Sequence, residues 1–342
     1  MTNFFLNKRI LITGGSGFIG SALIRRLSKE SKLRIFNFDK KSDSSEIFNF
    51  QNKTTCENLC FNLTNRDEVN KAIQISEPEI IIHLAAESHV DRSIDDPQNF
   101  IESNIVGTFN LLQSSTNFWR NLSIKRKSLF KFIHISTDEV FGSLGKIGEF
   151  NESSCYAPNS PYSASKAASD HLVRSWNRTY CFPTIITNCS NNYGPWQFPE
   201  KLIPTVILNA LFEKPIPLYG DGLNIRDWLF IDDHIDALIL VAMKGQIGTS
   251  YCIGGNSEKT NKEVVHAICN SLEEICPTNI PYKNLISYVN DRPGHDRRYS
   301  VNTSRIHLEL GWQPKCTFDM GIKKTIKWYK DNLEWCNTVL TR

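Results

Sequence analysis

The 342-residue chain lacks a charge excess: 39 basic residues against 36 acidic ones leave a net charge of +3. With no long basic tract there is no footprint of nucleic acid or of a polybasic membrane surface, and Lys125-Arg126-Lys127 is read as a solvated loop. The chain also lacks an apolar run of membrane-spanning length. Met1 to Gly20 has no apolar stretch of the signal-peptide kind, so a cytoplasmic protein without a membrane partner is expected. Metal-type CxxC pairs are missing as well. The ten cysteines are scattered, and they are read as free, mostly buried thiols in a reducing compartment, with no metal. Sequons such as Asn121-Leu-Ser123 and Asn177-Arg-Thr179 are then chance matches. A chain of this length buries a substantial core, as two lobes or one large α/β unit.

What is present begins with a short apolar strand, Arg9 to Thr13, then Gly14-Gly15-Ser16-Gly17-Phe18-Ile19-Gly20 and a helical run from Ser21 to Ser28. Strand, glycine turn and helix in that order form the context of a dinucleotide fingerprint. Gly14 permits the tight turn, Gly17 lets backbone N–H groups approach a pyrophosphate, and Gly20 permits close helix packing. The second strand, Leu33 to Phe38, ends on Asp39, where an acid accepts from both ribose hydroxyls and repels a 2′-phosphate. This favours NAD, although Lys40 and Lys41 leave NADP open.

A polar stretch, Ser42 to Thr54, is read as an exposed loop. Strands follow near Leu59 to Leu63 and Ile80 to Leu84, with a helix Asn65 to Ile75 between them. The second of these strands runs into the small residues Ala85-Ala86, which let backbone lie against a flat cofactor. A long helix, Phe100 to Trp119, precedes the strand Phe132 to Ser136. Alternating strands and helices predict an α/β fold built on a doubly wound parallel sheet.

The strand ending in Ser136-Thr137-Asp138-Glu139 delivers a hydroxyl and two carboxylates to the end of a parallel sheet, where ligands bind. On this stretch alone, ordinary loop carboxylates read equally well. Downstream, Ser160-Pro161 starts a helix that sets Tyr162 and Lys166 at i and i+4 on one face. An ammonium beside a phenol lowers the tyrosine pKa, as a base near neutral pH requires. Beyond Asn188 the pattern loosens into Asn191 to Lys201, leading to a smaller lobe. There Lys201, Arg226, Asn261, Arg292 and His295 could gather around a diphosphate, sugar and base.

Long stretches then carry a resemblance. They include Thr13 to Gly20, His83-Leu-Ala-Ala-Glu-Ser-His-Val-Asp-Arg-Ser93, Ser136 to Gly142 and Ser160-Pro-Tyr-Ser-Ala-Ser-Lys166. Others are Ser190-Asn-Asn-Tyr-Gly-Pro195, Phe198 to Pro204, Arg226-Asp-Trp228 and Asp291 to Tyr299. The chain resembles the extended short-chain dehydrogenase/reductase superfamily and, within it, the dTDP-glucose 4,6-dehydratases, from Arg9 to about Trp335. The resemblance implies a Rossmann-type NAD-binding domain over 1–190 and about 229–256, and a sugar-nucleotide lobe over 191–228 and 257–342. It implies Thr137, Asp138, Glu139, Tyr162 and Lys166 as catalytic residues. Cofactor contacts would fall to Gly14, Gly17, Phe18, Ile19, Gly20, Asp39, Lys40, Asn62, Leu63, Leu84, Ala85, Ala86, Ser88, Ser103, Tyr162, Lys166 and Asn192. Substrate contacts would fall to Ser88, Thr137, Asn191, Glu200, Lys201, Leu202, Pro217, Leu218, Tyr219, Arg226, Asn261, Asp291, Arg292, His295 and Tyr299.

Asn62 stands where relatives have an Asp; its amide oxygen can still accept from an adenine amine. The implied reaction loses water from dTDP-glucose by oxidation at C4, elimination across C5 and C6, and hydride return to C6. A UDP-hexose dehydratase, a 4-epimerase, a UDP-glucuronate decarboxylase and a non-catalytic NAD sensor are the alternatives. A homodimer is expected through a four-helix interface of Phe100 to Trp119 and Tyr162 to Tyr180, using Phe109, Leu112, Phe118, Leu172, Val173 and Trp176.

Overall fold

The computed structural model describes residues 4–30, 32–40 and 56–340, so the stretch Ser42 to Thr54 lies outside the described residues. The main sheet is made of β1 (Arg9–Thr13), β2 (Arg34–Asp39), β3 (Cys56–Cys60), β4 (Ile80–His83), β5 (Lys131–Thr137), β6 (Thr184–Cys189) and, later in the chain, β10 (Ser250–Ile253). All seven strands are parallel, in the order β10-β6-β5-β4-β1-β2-β3. The order reverses between β1 and β4, which makes the crevice at their carboxyl ends the ligand position of a doubly wound sheet.

Alternation along the strands separates two cores. Ile10, Ile12, Ile80, Ile82, Ile133 and Ile135 face one side, and Leu11, Phe36, Phe38, Ile81 and Phe132 face the other. Both faces are covered by helices, which is why apolar residues stand on both sides of these strands. Helix α1 (Phe18–Leu27) follows the glycine turn, α2 (Arg66–Ser76) is capped by the Asn65 side chain, and α3 (Gly107–Arg120) and α4 (Pro161–Tyr180) carry the chain across the second face. Ser160 and Ser163 form a capping box at the start of α4, with Pro161 at its first turn.

The long helix expected over Phe100 to Trp119 is interrupted. Ile101–Val106 is π-helical, and only from Gly107 does the chain run as α-helix. Asn104 explains the extra residue. Its carbonyl accepts the Ser169 hydroxyl at 2.7 Å, and its amide donates to Glu87 O at 3.0 Å and Ser165 Oγ at 2.8 Å. Three further expectations change. The third strand lies at Cys56–Cys60 rather than Leu59 to Leu63, Lys125 to Lys127 sit in a short helix, Ile124–Leu129, and only four of the ten free thiols are buried.

The remaining strands are β7 (Asn191–Tyr193), β8 (Ile216–Tyr219), β9 (Ile225–Phe230), β11 (Glu258–Thr260) and β12 (Ile286–Val289). They form a three-stranded sheet, β11-β9-β7, and a two-stranded one, β12-β8. Helices α5 (Leu202–Leu211), α6 (Ile231–Lys244), α7 (Asn261–Ile275), α8 (Phe318–Asp331) and α9 (Leu333–Leu340) complete the packing. Trp335 of α9 is held by edge contacts with Trp196 and Trp328, ring centres 5.4 and 5.1 Å away. Among the described residues, no helix is long and apolar enough to cross a membrane.

Candidate active site

The carboxyl ends of β1, β2, β4, β5 and β6 open into one cleft of about 900 Å³. Helix α1 starts in it without a side-chain cap: Gly17 is extended, at φ −80° and ψ 178°, and the first-turn N–H groups are left for an anion. Two glycines are dictated by space. Gly14 has φ +72° and a Cβ there would lie 2.6 Å from Ala85 backbone, while a Cβ on Gly20 would lie 2.2 Å from Gly14 O. The ends of β1 and β4 therefore meet with nothing between them, and the helix start is pinned against the turn.

Asp39 closes the other side of this half. Its Oδ2 accepts the Ser16 N–H at 2.9 Å; burial lifts its acid above the ordinary carboxylate value, and the Ser16 hydrogen bonds pull it back. Lys40, the residue that left a 2′-phosphate open, gives its ammonium to Glu87 Oε1 at 2.6 Å. Glu87 thus offsets the Lys40 charge, which also acts on Asp39. Every residue expected to touch the cofactor lines this cleft: Gly14, Gly17 to Gly20, Asp39, Lys40, Asn62, Leu63, Leu84 to Ala86, Ser88, Ser103, Tyr162, Lys166 and Asn192. Asn62 differs in detail. Its amide oxygen, expected to serve an adenine amine, accepts the Thr64 N–H at 3.1 Å. An uncapped helix start, a glycine floor and an acid at the end of β2 form a donor and acceptor set that fits NAD.

The chemical groups stand at the end of β5, opposite Cys189 of β6. Thr137 Oγ1 donates to Asp138 Oδ1 at 3.2 Å and accepts the Glu139 N–H at 3.2 Å. Asp138 is 1% exposed, and burial, with Glu139 and Asp227 adding to it, lifts its acid well above the ordinary range. Burial lifts Glu139 too, but Arg226, Arg292 and Lys201 pull it back. Two adjacent carboxyls thus sit in opposite fields, one ringed mainly by acids and the other by cations.

Tyr162 and Lys166 reach the same cleft from α4. The expected lowering of the phenol by the ammonium is absent. Burial, then Glu139 and Cys189, push Tyr162 well above its ordinary value, with the Thr137 hydroxyl pulling the other way. Lys166 instead donates Nζ to Ile135 O at 2.8 Å, and burial lowers its own pKa.

Of the residues expected to hold substrate, Ser88, Thr137, Asn191, Glu200 and Lys201 line the cleft, and Lys201 Nζ donates to Ser88 O at 3.0 Å. Leu202, Pro217, Leu218, Tyr219, Arg226, Asn261, Asp291, Arg292, His295 and Tyr299 are not part of its lining. Leu218 is 1% exposed with its side chain in the core, which leaves only its backbone for a ligand. The pairing of β8 with β12 brings Tyr219 to Val289 and Gly220 to Asp291, whose Oδ1 lies 2.6 Å from His295 Nδ1. Arg292 crosses to Asp91 at 3.0 Å. Arg226 lies over the Tyr299 ring at 4.4 Å and donates to Asp296 O at 2.9 Å, while Tyr299 donates its hydroxyl to Asp296 Oδ2. Arg226, Arg292 and Lys201 share one further property: all three act on Glu139.

Sequence reasoning missed several lining residues. Glu87 and Ser190 lie inside motifs quoted above and could have been found there. Val339 and Leu340, at the end of α9, also line the cleft, and no local signal marks them.

Comparison with known proteins gives these residues their context. The family model described as GDP-mannose 4,6 dehydratase matches residues 11–325. The dTDP-glucose 4,6-dehydratase of Salmonella typhimurium is 50% identical, across 97% of this chain and 95% of its own. A crystal structure of dTDP-glucose 4,6-dehydratase from Bacillus anthracis in complex with NAD has a TM-score of 0.85 and 41% identity, covering 96% of this chain and 99% of that one. The Streptomyces venezuelae dTDP-glucose 4,6-dehydratase, crystallised with NAD and dTDP bound, has a TM-score of 0.86 and 36% identity, covering 97% and 99%. On the family match, the identities and the coverage of both chains, the chain belongs to the dTDP-glucose 4,6-dehydratases, within the GDP-mannose 4,6 dehydratase family of extended short-chain dehydrogenases/reductases.

Proposed function

We propose that this protein converts dTDP-glucose into the 4-keto-6-deoxy sugar nucleotide with loss of water, as an NAD-dependent carbon–oxygen lyase. The observation that carries it is the Asp138 and Glu139 pair at the end of β5, buried beside Tyr162 in the NAD cleft and set in opposite fields. A 4-epimerase needs only the tyrosine, lysine and hydroxyl and has no use for such a pair. NAD+, when bound, takes the hydride from C4 and returns it to C6, and its positive ring adds the charge that favours a phenolate in the cleft.

Tyr162 accepts the C4 hydroxyl proton, with Thr137 holding both the phenol and Asp138 in register. Once C4 is a ketone, the C5 proton is acidic, and Glu139 removes it with Arg226, Arg292 and Lys201 stabilising its anionic form. Asp138 gives its proton to the departing C6 hydroxyl, which leaves as water. A proton then returns to C5, and the cofactor ends as it began. As pH rises through the raised value of Asp138 the donor is lost, and as it falls through the value of Glu139 the base is lost, so elimination has an optimum between the two. Incubation with dTDP-glucose or UDP-glucose, read by the alkali-induced absorbance of a 4-keto product, tests the assignment. Turnover of dTDP-glucose alone is expected, and no turnover of either would leave a cofactor sensor.

The NAD-binding domain is assigned to 1–190 and about 229–256, and the sugar-nucleotide lobe to 191–228 and 257–342. The support is that β10 joins the main sheet while β7, β8, β9, β11 and β12 do not. A homodimer pairs the faces of the π-helical turn, α3 and α4. Leu112, Val173 and Trp176, expected there, are buried inside the subunit; the exposed apolar residues are Ile101, Val106, Phe109 and Tyr180. Light scattering at micromolar concentration is expected to give twice the subunit mass.

A further inference from the structure

Behind Tyr162 and Lys166 lies a cluster of polar groups that none of the steps above uses. Asp170 follows Lys166 by one helical turn on α4 and is 0% exposed. Its Oδ2 accepts the Tyr156 hydroxyl at 2.7 Å and Asn188 Nδ2 at 3.2 Å. The same Asn188 amide donates to Thr137 O at 3.2 Å, which links the carboxylate to the strand end that bears the catalytic hydroxyl. Tyr156 accepts from Arg174 Nη2 at 2.7 Å, and the guanidinium lies 4.6 Å from the centre of its ring. The other oxygen, Oδ1, stands 3.2 Å from His134 Nε2.

A fully buried carboxylate is expensive unless a cation answers it. His134 is not that cation, because burial takes its pKa down to about 4. Asp170 itself is held below the ordinary carboxylate range despite its burial, by His134, Lys166 and the Tyr156 hydrogen bond. The groups that face Lys166 come from four elements: Asp170 on its own helix, His134 on β5, Cys189 on β6 and His83 on β4. Burial pushes the Cys189 thiol up to about 12 and His83 well below its ordinary value, so both are uncharged at neutral pH. The groups that act on Tyr162 are Glu139, Cys189, Thr137 and Asp138.

We propose that Asp170 is a positioning residue for the Tyr162 and Lys166 pair: its buried carboxylate, one helical turn from Lys166 and held by Tyr156 and Asn188, is the counter-charge to the ammonium that Ile135 O holds in place, and it ties this turn of α4 to the strand end carrying Thr137. This rests on the assignment of Tyr162 and Lys166 to the oxidation step. Burial alone drives Lys166 towards the neutral amine, and Asp170 is the anion that opposes it. The residue therefore acts through Lys166 without touching substrate.

The test is the pH dependence of kcat, with dTDP-glucose, for Asp170→Asn, which keeps the shape and removes the charge. On this proposal the form of Lys166 used in oxidation is the ammonium that donates to Ile135 O, so the falling limb at high pH is expected to move toward acid by about one unit or more. KM for dTDP-glucose and bound NAD per subunit are expected to stay unaltered. Asp170→Glu is expected to restore the limb. Tyr156→Phe, which leaves the carboxylate but removes a hydrogen bond to it, is expected to move the limb the same way by less. A folded Asp170→Asn whose limb coincides with that of the unsubstituted protein overturns the proposal. Should that variant not fold, an unmoved limb in Tyr156→Phe overturns it instead. Tyr162→Phe is run alongside: full NAD+ reduction by it defeats the assignment of the pair, whereas a dead Tyr162→Phe with an unmoved Asp170→Asn defeats only the inference about Asp170.

Discussion

The two halves of the cleft are made of different materials. The dinucleotide half is built from backbone: an uncapped helix start, a glycine turn, and two strand ends packed until no Cβ fits, with Asp39 as its discriminating charge. The half proposed for the sugar nucleotide depends on long charged side chains, Lys201 in the lining with Arg226 and Arg292 behind it, which act on Glu139 from small sheets and loops. The first recognises by exclusion of volume and by fixed N–H groups, so it should fail abruptly when atoms are added. The second recognises by charge and fork geometry, so it should tolerate volume and lose function in steps as charges are altered or screened.

Adding one methyl group breaks the comparison hardest. Gly20→Ala places its Cβ against Gly14 O, a backbone atom that cannot yield without moving the turn. Isothermal titration is expected to show NAD affinity reduced by about a hundredfold, about 2.8 kcal/mol, and the protein to purify without dinucleotide. A smaller effect is expected from Arg226→Lys. Lysine cannot both lie flat over Tyr299 and donate to Asp296 O, so KM for dTDP-glucose should rise by about tenfold in steady-state kinetics while NAD content holds. The smallest comes from salt. Raising ionic strength from about 0.01 M to 0.15 M shortens the screening length from about 30 Å to 8 Å, so KM for the nucleotide sugar should rise by about two- to threefold. NAD occupancy, set by packing and fixed dipoles, should barely respond.

The same division decides what could be read in advance. The central strands are legible because burial on both faces leaves an unbroken apolar run in each: β1 falls on Arg9–Thr13 as expected and β4 one residue short of the expected end. Edge strand β3 slipped because Cys56, Glu57 and Asn58 carry no apolar pattern, and only Leu59 of that strand is buried. Glycine spacing and the Tyr162 to Lys166 step mark the cleft because each is a local geometric demand. What stayed hidden depends on contacts distant in the chain. The π-helical turn exists because Ser169 takes the Asn104 carbonyl, and the tail reaches the cleft because Trp196 and Trp328 hold Trp335. Periodicity shows that α3 and α4 have apolar residues but not which of them the subunit keeps, so Leu112, Val173 and Trp176 were placed on the wrong face. The lowering of Tyr162 by Lys166 failed for a related reason: spacing puts both groups on one helix face, but the Ile135 carbonyl claims the ammonium. Arg226 and Arg292 could be named from their fork chemistry, but a role for them came only with the resemblance carried by Arg226-Asp-Trp228 and Asp291 to Tyr299.

The central claim is a division of labour at the end of β5, with Tyr162 serving oxidation and the Asp138 and Glu139 pair serving loss of water. It is tested most directly by mixing the Asp138→Asn, Glu139→Gln double variant with dTDP-glucose and following absorbance at the reduced-nicotinamide band together with release of the 4-keto-6-deoxy product. The account predicts that the band rises and persists while product formation falls by at least about a hundredfold. Product released at the rate of the unsubstituted protein, or no reduction of NAD+ in a folded, NAD-loaded variant, would contradict it.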